Sequence, residues 1–528
     1  MVDEYTHYDA VEVYGSALSV LPGESLGLHV RCVAESFEVE IRRVSGRDQR
    51  LVWSATGVLG EAHPTPDDAD ANGCRWPVAI DVPVGADWRS GVYLVTCRAH
   101  GAADDRALGY AMFVVRAPRP TASVLMVLAT NTYNAYNAWG GRSLYTGGHQ
   151  VSFERPFIRG FLTRADAGHE DRKSPPCAPG ERPDVDGMRY LAYREANHFP
   201  PAVGSSGWYS YERRFVEWAD RHGIAIDFAV SEDLSRTPAV TDGYSLVLGV
   251  GHDEYWSAEQ RDGIERFVAG GGNVASFSGN TMFWQVRFDA TRRHMTAHKY
   301  RAHRDDPVVG TPNERTMSGM WCDPLVGRPE WGFLGAGSAY GLYSRFGWST
   351  PRSPGGFTVF RDQHWMFEGT DLRYGDMIGA QYGVVGYETV GCRLQLDEFG
   401  LPVSVTPGAP PSEVVAWAPA SNLGAGDYPS GSVSFTDDDQ VDLDFVASRL
   451  YGSTDDVAKA RVRHGNAVIL TCRPFERGGE VATVGSTDWV FGLADPAVDR
   501  ITRNIVDRYA DDHANDHAND HANDRGNR

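Results

Sequence analysis

Along the first 117 residues, short runs of alternating apolar and polar positions recur between turn residues. They fall at 12–14, 27–32, 37–41 and 91–96 and end at 111–116. Alternation with period two marks half-buried strands, so this stretch predicts an antiparallel β sandwich over 1–117. Pro118-Arg119-Pro120 then reads as a linker. From Ser123 the pattern changes to longer apolar strands separated by amphipathic helices, which predicts βαβ units and a mostly parallel sheet in an α/β domain over 121–510. Expected strands lie at 123–129, 224–229, 245–250, 274–278 and 466–471, and expected helices at 211–222, 257–269 and 497–509. Residues 315–450, rich in Gly, Pro and aromatics, predict loops and short antiparallel strands over the sheet edge. The tail repeats His-Ala-Asn-Asp from His513 to Asp524. Its low apolar content predicts disorder over 511–528.

Composition narrows the function classes. A net charge of −20 disfavours a nucleic-acid partner, because clustered Lys and Arg are missing. Neither a signal-like N-terminus nor a membrane-length apolar run is present, so no membrane association and a cytoplasmic location are expected. Cys32, Cys74, Cys97, Cys177, Cys322, Cys392 and Cys472 form no CxxC pair. Free, buried thiols are therefore expected rather than a disulfide framework or a zinc site.

The densest chemistry follows the run at 245–250, in Gly251-His252-Asp253-Glu254-Tyr255-Trp256. A strand entering a helix there places His252 and Glu254 at a strand's carboxyl end, where open α/β sheets bind ligands. Two further strand-end loops converge on that edge: 130–145, dense in Tyr and Asn, and 278–284, with Asn280. No GxSxG elbow, phosphate loop, GxGxxG or HExxH competes. Chemistry here calls for a metal or a carboxylate base. Phenolates and carboxylates suit a hard, highly charged cation better than zinc or copper. His294, His298 and Lys299 match no ligand spacing and are expected at the solvated surface.

Asn131-Thr132-Tyr133-Asn134-Ala135-Tyr136-Asn137, the Gly-His-Asp-Glu-Tyr-Trp loop, Ser278-Gly279-Asn280-Thr281-Met282-Phe283-Trp284 and Gly386-Tyr387-Glu388 resemble the large subunit of N,N-dimethylformamidase. The resemblance covers roughly residues 10 to 510. It implies an immunoglobulin-like sandwich followed by a flavodoxin-like parallel sheet similar to class I glutamine amidotransferases, without their cysteine nucleophile. It further implies a mononuclear ferric ion held by two tyrosines and a glutamate. Glu254 matches the glutamate, and Tyr136 matches the tyrosine of the Ala-Tyr-Asn turn. Tyr145 is the candidate for the other tyrosine, although its interval from Tyr136 is shorter than in the family enzyme and leaves Tyr133 open.

His252, Asn280 and Glu388 match substrate-side residues, with Glu388 as general base and the other two orienting substrate or water. The implied reaction is hydrolysis of a small linear amide by metal-activated water. A small partner subunit and an oligomer are also implied, and from its length the chain is not expected to carry the family's additional lectin-like domain. The alternative is a non-catalytic ligand-binding or assembly protein on the same scaffold. In that reading Glu254 merely complements a helix dipole, His252 is structural and Asn280 caps a turn.

Overall fold

The computed structural model describes residues 9–46, 48–101, 105–164, 172–173, 188–344, 355–422 and 441–523, the last dozen by backbone alone. In the first part, the strands Val11–Gly15, Ser25–Cys32 and Val78–Pro83 form a three-stranded antiparallel sheet. It faces a five-stranded sheet built from Ser36–Ser45, Asp48–Leu59, Gly91–Ala99, Leu108–Val115 and the short Ser19–Val20. Side chains of the expected alternating runs, among them Val13, Leu28, Val39, Val95 and Phe113, interleave between the two sheets. Each such burial contributes roughly 1.5–3 kcal/mol. Cys32 and Cys97 sit in this core as free thiols, and the other described cysteines are free and buried too. Cys177 lies outside the described residues.

The linker ends on an anchor. Asp227, buried at the start of a strand, accepts hydrogen bonds from the Thr121 amide and hydroxyl, both at 2.6 Å, and from the Ala122 amide at 3.2 Å. A nine-stranded sheet follows. It runs in the order Asp227–Val230, Val124–Leu128, Leu246–His252, Asn273–Gly279, Val481–Val484, His464–Cys472, Ser412–Ser421, Phe357–Val359, Met377–Ile378. The first five strands pair in parallel, and the remaining pairings are antiparallel.

The sheet is therefore mixed, not mostly parallel. Continuous apolar runs report burial on both faces but carry no sign of strand direction. Residues 315–450 supply strands that lengthen the sheet instead of covering its edge. Numbered along the chain, the parallel strands stand in the order 2-1-3-4-5. The connection direction thus reverses between Val124–Leu128 and Leu246–His252, and a crevice opens beyond their carboxyl ends.

Other expectations shift locally. The first strand-end segment is not all loop, because Thr130–Tyr136 forms a fully buried helix. Its polar side chains bond into the neighbouring segment: Asn131 Nδ2 donates to Gln260 Oε1 at 2.7 Å and to the Tyr255 carbonyl at 3.2 Å. Gln260 is itself half of a capping box with Ser257 that starts the helix Ala258–Ala269. The strand expected at 224–229 begins only at Asp227. The C-terminal helix runs from Pro496 to Asn523, past the expected end at 509. An alanine every fourth residue and no Gly or Pro before Gly526 let an anchored helix propagate into the repeat. No helix among the described residues is long and apolar enough to cross a membrane.

Candidate metal centre

Strand geometry explains why His252 and Glu254 act together. Successive side chains alternate across an extended backbone, so residues two apart share a side. His252 and Glu254 both enter the crevice, while Asp253 turns away and accepts from Trp256 Nε1 at 3.0 Å. Gly251, at φ 78°, makes the approach possible, since a Cβ there would run into the Tyr211 side chain. The Glu254 amide is held by Thr132 Oγ1 at 3.0 Å, which ties the strand end to the Thr130–Tyr136 helix.

The Glu254 carboxylate is the hub. Tyr145 Oη donates to Oε1 at 2.7 Å and to Oε2 at 2.8 Å, and Tyr136 Oη donates to Oε2 at 3.1 Å. Trp284 Nε1 donates to Oε1 at 2.7 Å. The two tyrosine rings stack with centroids 4.2 Å apart. Tyr133 stays outside the cluster, its ring edge on Phe157 and its hydroxyl end beside buried Glu212. Tyr136 and Glu254 are buried, whereas 40% of the Tyr145 surface is exposed although its hydroxyl reaches the buried carboxylate.

His252 Nε2 lies 2.6 Å from Glu388 Oε2 and 3.3 Å from Glu254 Oε2. The two approaches are ion-pair contacts whose angles depart from a hydrogen bond's, so a buried nitrogen is held between two carboxylates. Nδ1 is fixed at 2.8 Å from the Ser205 carbonyl. Asn280 Nδ2 donates to Glu388 Oε2 at 2.9 Å, and its Oδ1 is buried without a partner. Ligand atoms of His252, Glu254 and Glu388 lie within 4.8 Å of one another, so this buried group can hold a metal ion.

Electrostatics describe a site short of positive charge. Burial, with Glu388 adding to it, raises the Glu254 carboxyl. Burial opposes a charged His252, but Glu388 and Glu254 outweigh it and raise the imidazole to about 9. Desolvation, then Glu254, pushes Tyr136 and Tyr145 well above the usual phenol range. These phenols keep their protons unless a strong cation takes their place.

All six residues expected at the site converge. Lys299, expected at the solvated surface, is instead buried, its Nζ 3.1 Å from the centroid of the Tyr145 ring. Burial pulls it down to about 8. Its aliphatic stem lets a lysine pack among Tyr145, Tyr255 and Trp284, and aromatic faces replace the missing water. His294 and His298 lie half-buried and outside the cluster.

Trp284, Thr132 and Tyr387 also belong to the site and received no role from the sequence. Tyr387 sets its ring edge-on to His252, with centroids 5.6 Å apart. Trp284 closes the Gly-Asn-x-x-x-Trp stretch, and that spacing was the available signal. Asn280, Met282, Lys299 and Tyr387 all hold left-handed φ angles of 41–57°, strain of about 1–3 kcal/mol each that the packed surroundings enforce.

The family model described as N,N-dimethylformamidase beta subunit-like, C-terminal, matches residues 38–504. The chain belongs to this family. The match covers the nine-stranded sheet and the sandwich strands from Glu38 onward, beginning inside the strand Ser36–Ser45. No curated protein matches the chain. Among solved structures, one similar chain comes from a structure described as the structural basis of T cell specificity and activation by the bacterial superantigen toxic shock syndrome toxin-1. It is 12% identical, covers 20% of this chain and 97% of that one, and has a TM-score of 0.14. Another is the sulfur carrier protein SoxY from Chlorobium limicola f thiosulfatophilum, 15% identical over 20% of this chain and 76% of that one, with a TM-score of 0.12.

Proposed function

We propose that the protein is an iron-dependent amidohydrolase that cleaves the C–N bond of a small linear amide. The observation that carries this reading is the meeting of the Tyr136 and Tyr145 hydroxyls on one Glu254 carboxylate, beside the Nε2 of His252, which lies between Glu254 and Glu388. The donor set fits a ferric ion. Three oxygen ligands, anionic once two phenols lose their protons, balance its charge and match its hardness.

Tyr136, Tyr145 and Glu254 would hold the ion. Bound there, iron would supply Lewis acidity toward a carbonyl or a water. The protein's own groups do the rest. Trp284 and Thr132 fix Glu254, one through its carboxylate and one through its amide. Asn280 and His252 orient the amide or the water that attacks it, and Glu388, within reach of both, takes the water's proton. The water oxygen ends on the acyl carbon, the C–N bond breaks, and the amine leaves with the proton returned from Glu388.

The strand order 2-1-3-4-5 supports reading 121–510 as a flavodoxin-like, class I glutamine amidotransferase-like domain, and the two facing sheets support an immunoglobulin-like domain over 1–117. Among the described residues of this domain, Cys322, Cys392 and Cys472 are buried with their pKa raised by desolvation, which disfavours a thiolate nucleophile. Membership of a family described as beta subunit-like supports a partner subunit.

The test is iron content with the visible spectrum, alongside amine release from N,N-dimethylformamide and related small amides. Near-stoichiometric iron, a tyrosinate charge-transfer band and amine release, all abolished by Glu254→Ala, are expected. Protein that stays colourless and inactive after anaerobic reconstitution with iron would sink the proposal.

A further inference from the structure

Away from the Glu254 cluster, a cavity of about 890 Å³ opens between the hairpin strands Leu394–Leu396 and Pro402–Ser404, the strand Ser412–Ser421 and the end of the helix Asp456–Arg463. It shares no residue with the proposed iron site. Its walls carry the rings of Tyr340, Trp417 and Tyr451 and the cationic or polar heads of Arg393, Arg461 and His464. No Asp or Glu stands among its described lining residues.

That absence matters in a chain of net charge −20. Arg393 and Arg461 make no ion pair with any described residue, whereas many arginines elsewhere, such as Arg287 with Asp306, are paired. Arg461 lies over the Tyr451 ring at 5.0 Å, a stacking that keeps its guanidinium edge free for hydrogen bonds. The far side of the Trp417 ring stacks on Phe360, with centroids 5.9 Å apart and planes 13° apart, so the indole is held in place.

The cavity therefore offers flat apolar walls and two guanidinium groups, with no carboxylate among its described lining residues; the attraction between Arg461 and exposed Asp455 comes from outside that lining. We propose that it binds a small aromatic carboxylate, its ring against the tyrosine and tryptophan faces and its oxygens on the arginines. The volume lies within the range of ligand pockets, roughly 300–1,000 Å³. Planar guanidinium groups match a carboxylate in geometry as well as charge.

The experiment uses the full chain and two probes of similar shape, 2-naphthoate and the uncharged 2-naphthylmethanol, titrated by calorimetry. Naphthoate is expected to bind one site per chain with a Kd of about 1 mM or tighter, and the alcohol at least about tenfold more weakly. Arg393 and Arg461 are exposed, so the double variant R393Q/R461Q is expected to keep the wild-type melting midpoint and lose about tenfold in naphthoate affinity. Equal binding of the two probes by the wild type would reduce the cavity to an apolar crevice and overturn the proposal. So would unchanged naphthoate affinity in the folded double variant, or no binding up to about 10 mM.

Discussion

The hydroxyl of Tyr145 donates to both oxygens of Glu254, at 2.7 and 2.8 Å, while Lys299 Nζ lies 3.1 Å from the centroid of its ring. One phenol thus links the acidic hub of the site to its buried cation. Without a metal, the shared proton satisfies the carboxylate; with one, that proton must leave, so metal uptake releases protons and tightens as pH rises.

Tyr145→Phe removes the hydroxyl and keeps the ring under Lys299. The fold should survive, with a loss of about 1–2 kcal/mol from the missing charge-assisted bond. Iron and its visible band should disappear. Denaturant midpoints and metal analysis on one preparation separate the two effects, and a variant that retains the band would remove Tyr145 from the ligand set.

Trp284→Phe tests the support of Glu254. The indole N–H at 2.7 Å fixes one carboxylate oxygen, and the ring packs against Phe283 and Phe445. Phe keeps much of that packing and deletes the donor. Groups that orient a ligand typically contribute 10–100-fold to metal affinity. A loss of about that size, read from competition with a chelator, is expected, and unchanged affinity would make Trp284 a packing residue only.

Gly279→Ala should do more harm than its size suggests. A Cβ at Gly279 would collide with the Glu388 carbonyl oxygen and stand 2.6 Å from the Thr487 amide nitrogen, both rigid backbone. Overpacking of this kind costs about 1–3 kcal/mol. Because the displaced backbone carries Glu388, turnover should fall more steeply than iron content. Full activity in a folded variant would mean that Glu388 needs no fixed position.

Much of the site was legible because its residues sit at strand ends in sequence-local groups. His252 and Glu254 lie two apart on an extended backbone, and Asn280 directly follows a buried strand. Glu388 was readable only through the family motif, since it reaches the site by a fold that brings the 386–388 loop against Thr487. Lys299 was misread because charge predicts exposure, and the aromatic box that shelters it is assembled from Tyr145, Tyr255 and Trp284 across distant segments. Four of the five parallel strands follow from their apolar runs, as does the antiparallel His464–Cys472, expected at 466–471, whereas the parallel Val481–Val484 and the antiparallel strands beyond His464–Cys472 do not. The strands Phe357–Val359 and Met377–Ile378 are two or three residues long and too short to show a period.

Glu12 gives a pH dependence independent of the metal. It is buried in the sandwich strand Val11–Gly15 and accepts the Asp9 amide at 3.1 Å. Burial, with Asp9 adding to it, raises its carboxyl from 4.5 to about 8. Between those values the unfolded chain has released this proton and the folded chain still holds it. The folded state then binds more protons, so stability falls as pH rises through the window, by at most about 1.4 kcal/mol per unit, and the loss is complete above the folded value. Glu12→Gln keeps the Asp9 contact through its amide oxygen and never ionises. The variant should match the wild type near the acidic end and exceed it increasingly toward the alkaline end. Denaturation midpoints across the window test this, because other titrating groups are common to both chains and cancel in the difference. Parallel curves for the two proteins would mean that Glu12 ionises in the folded sandwich as freely as in water.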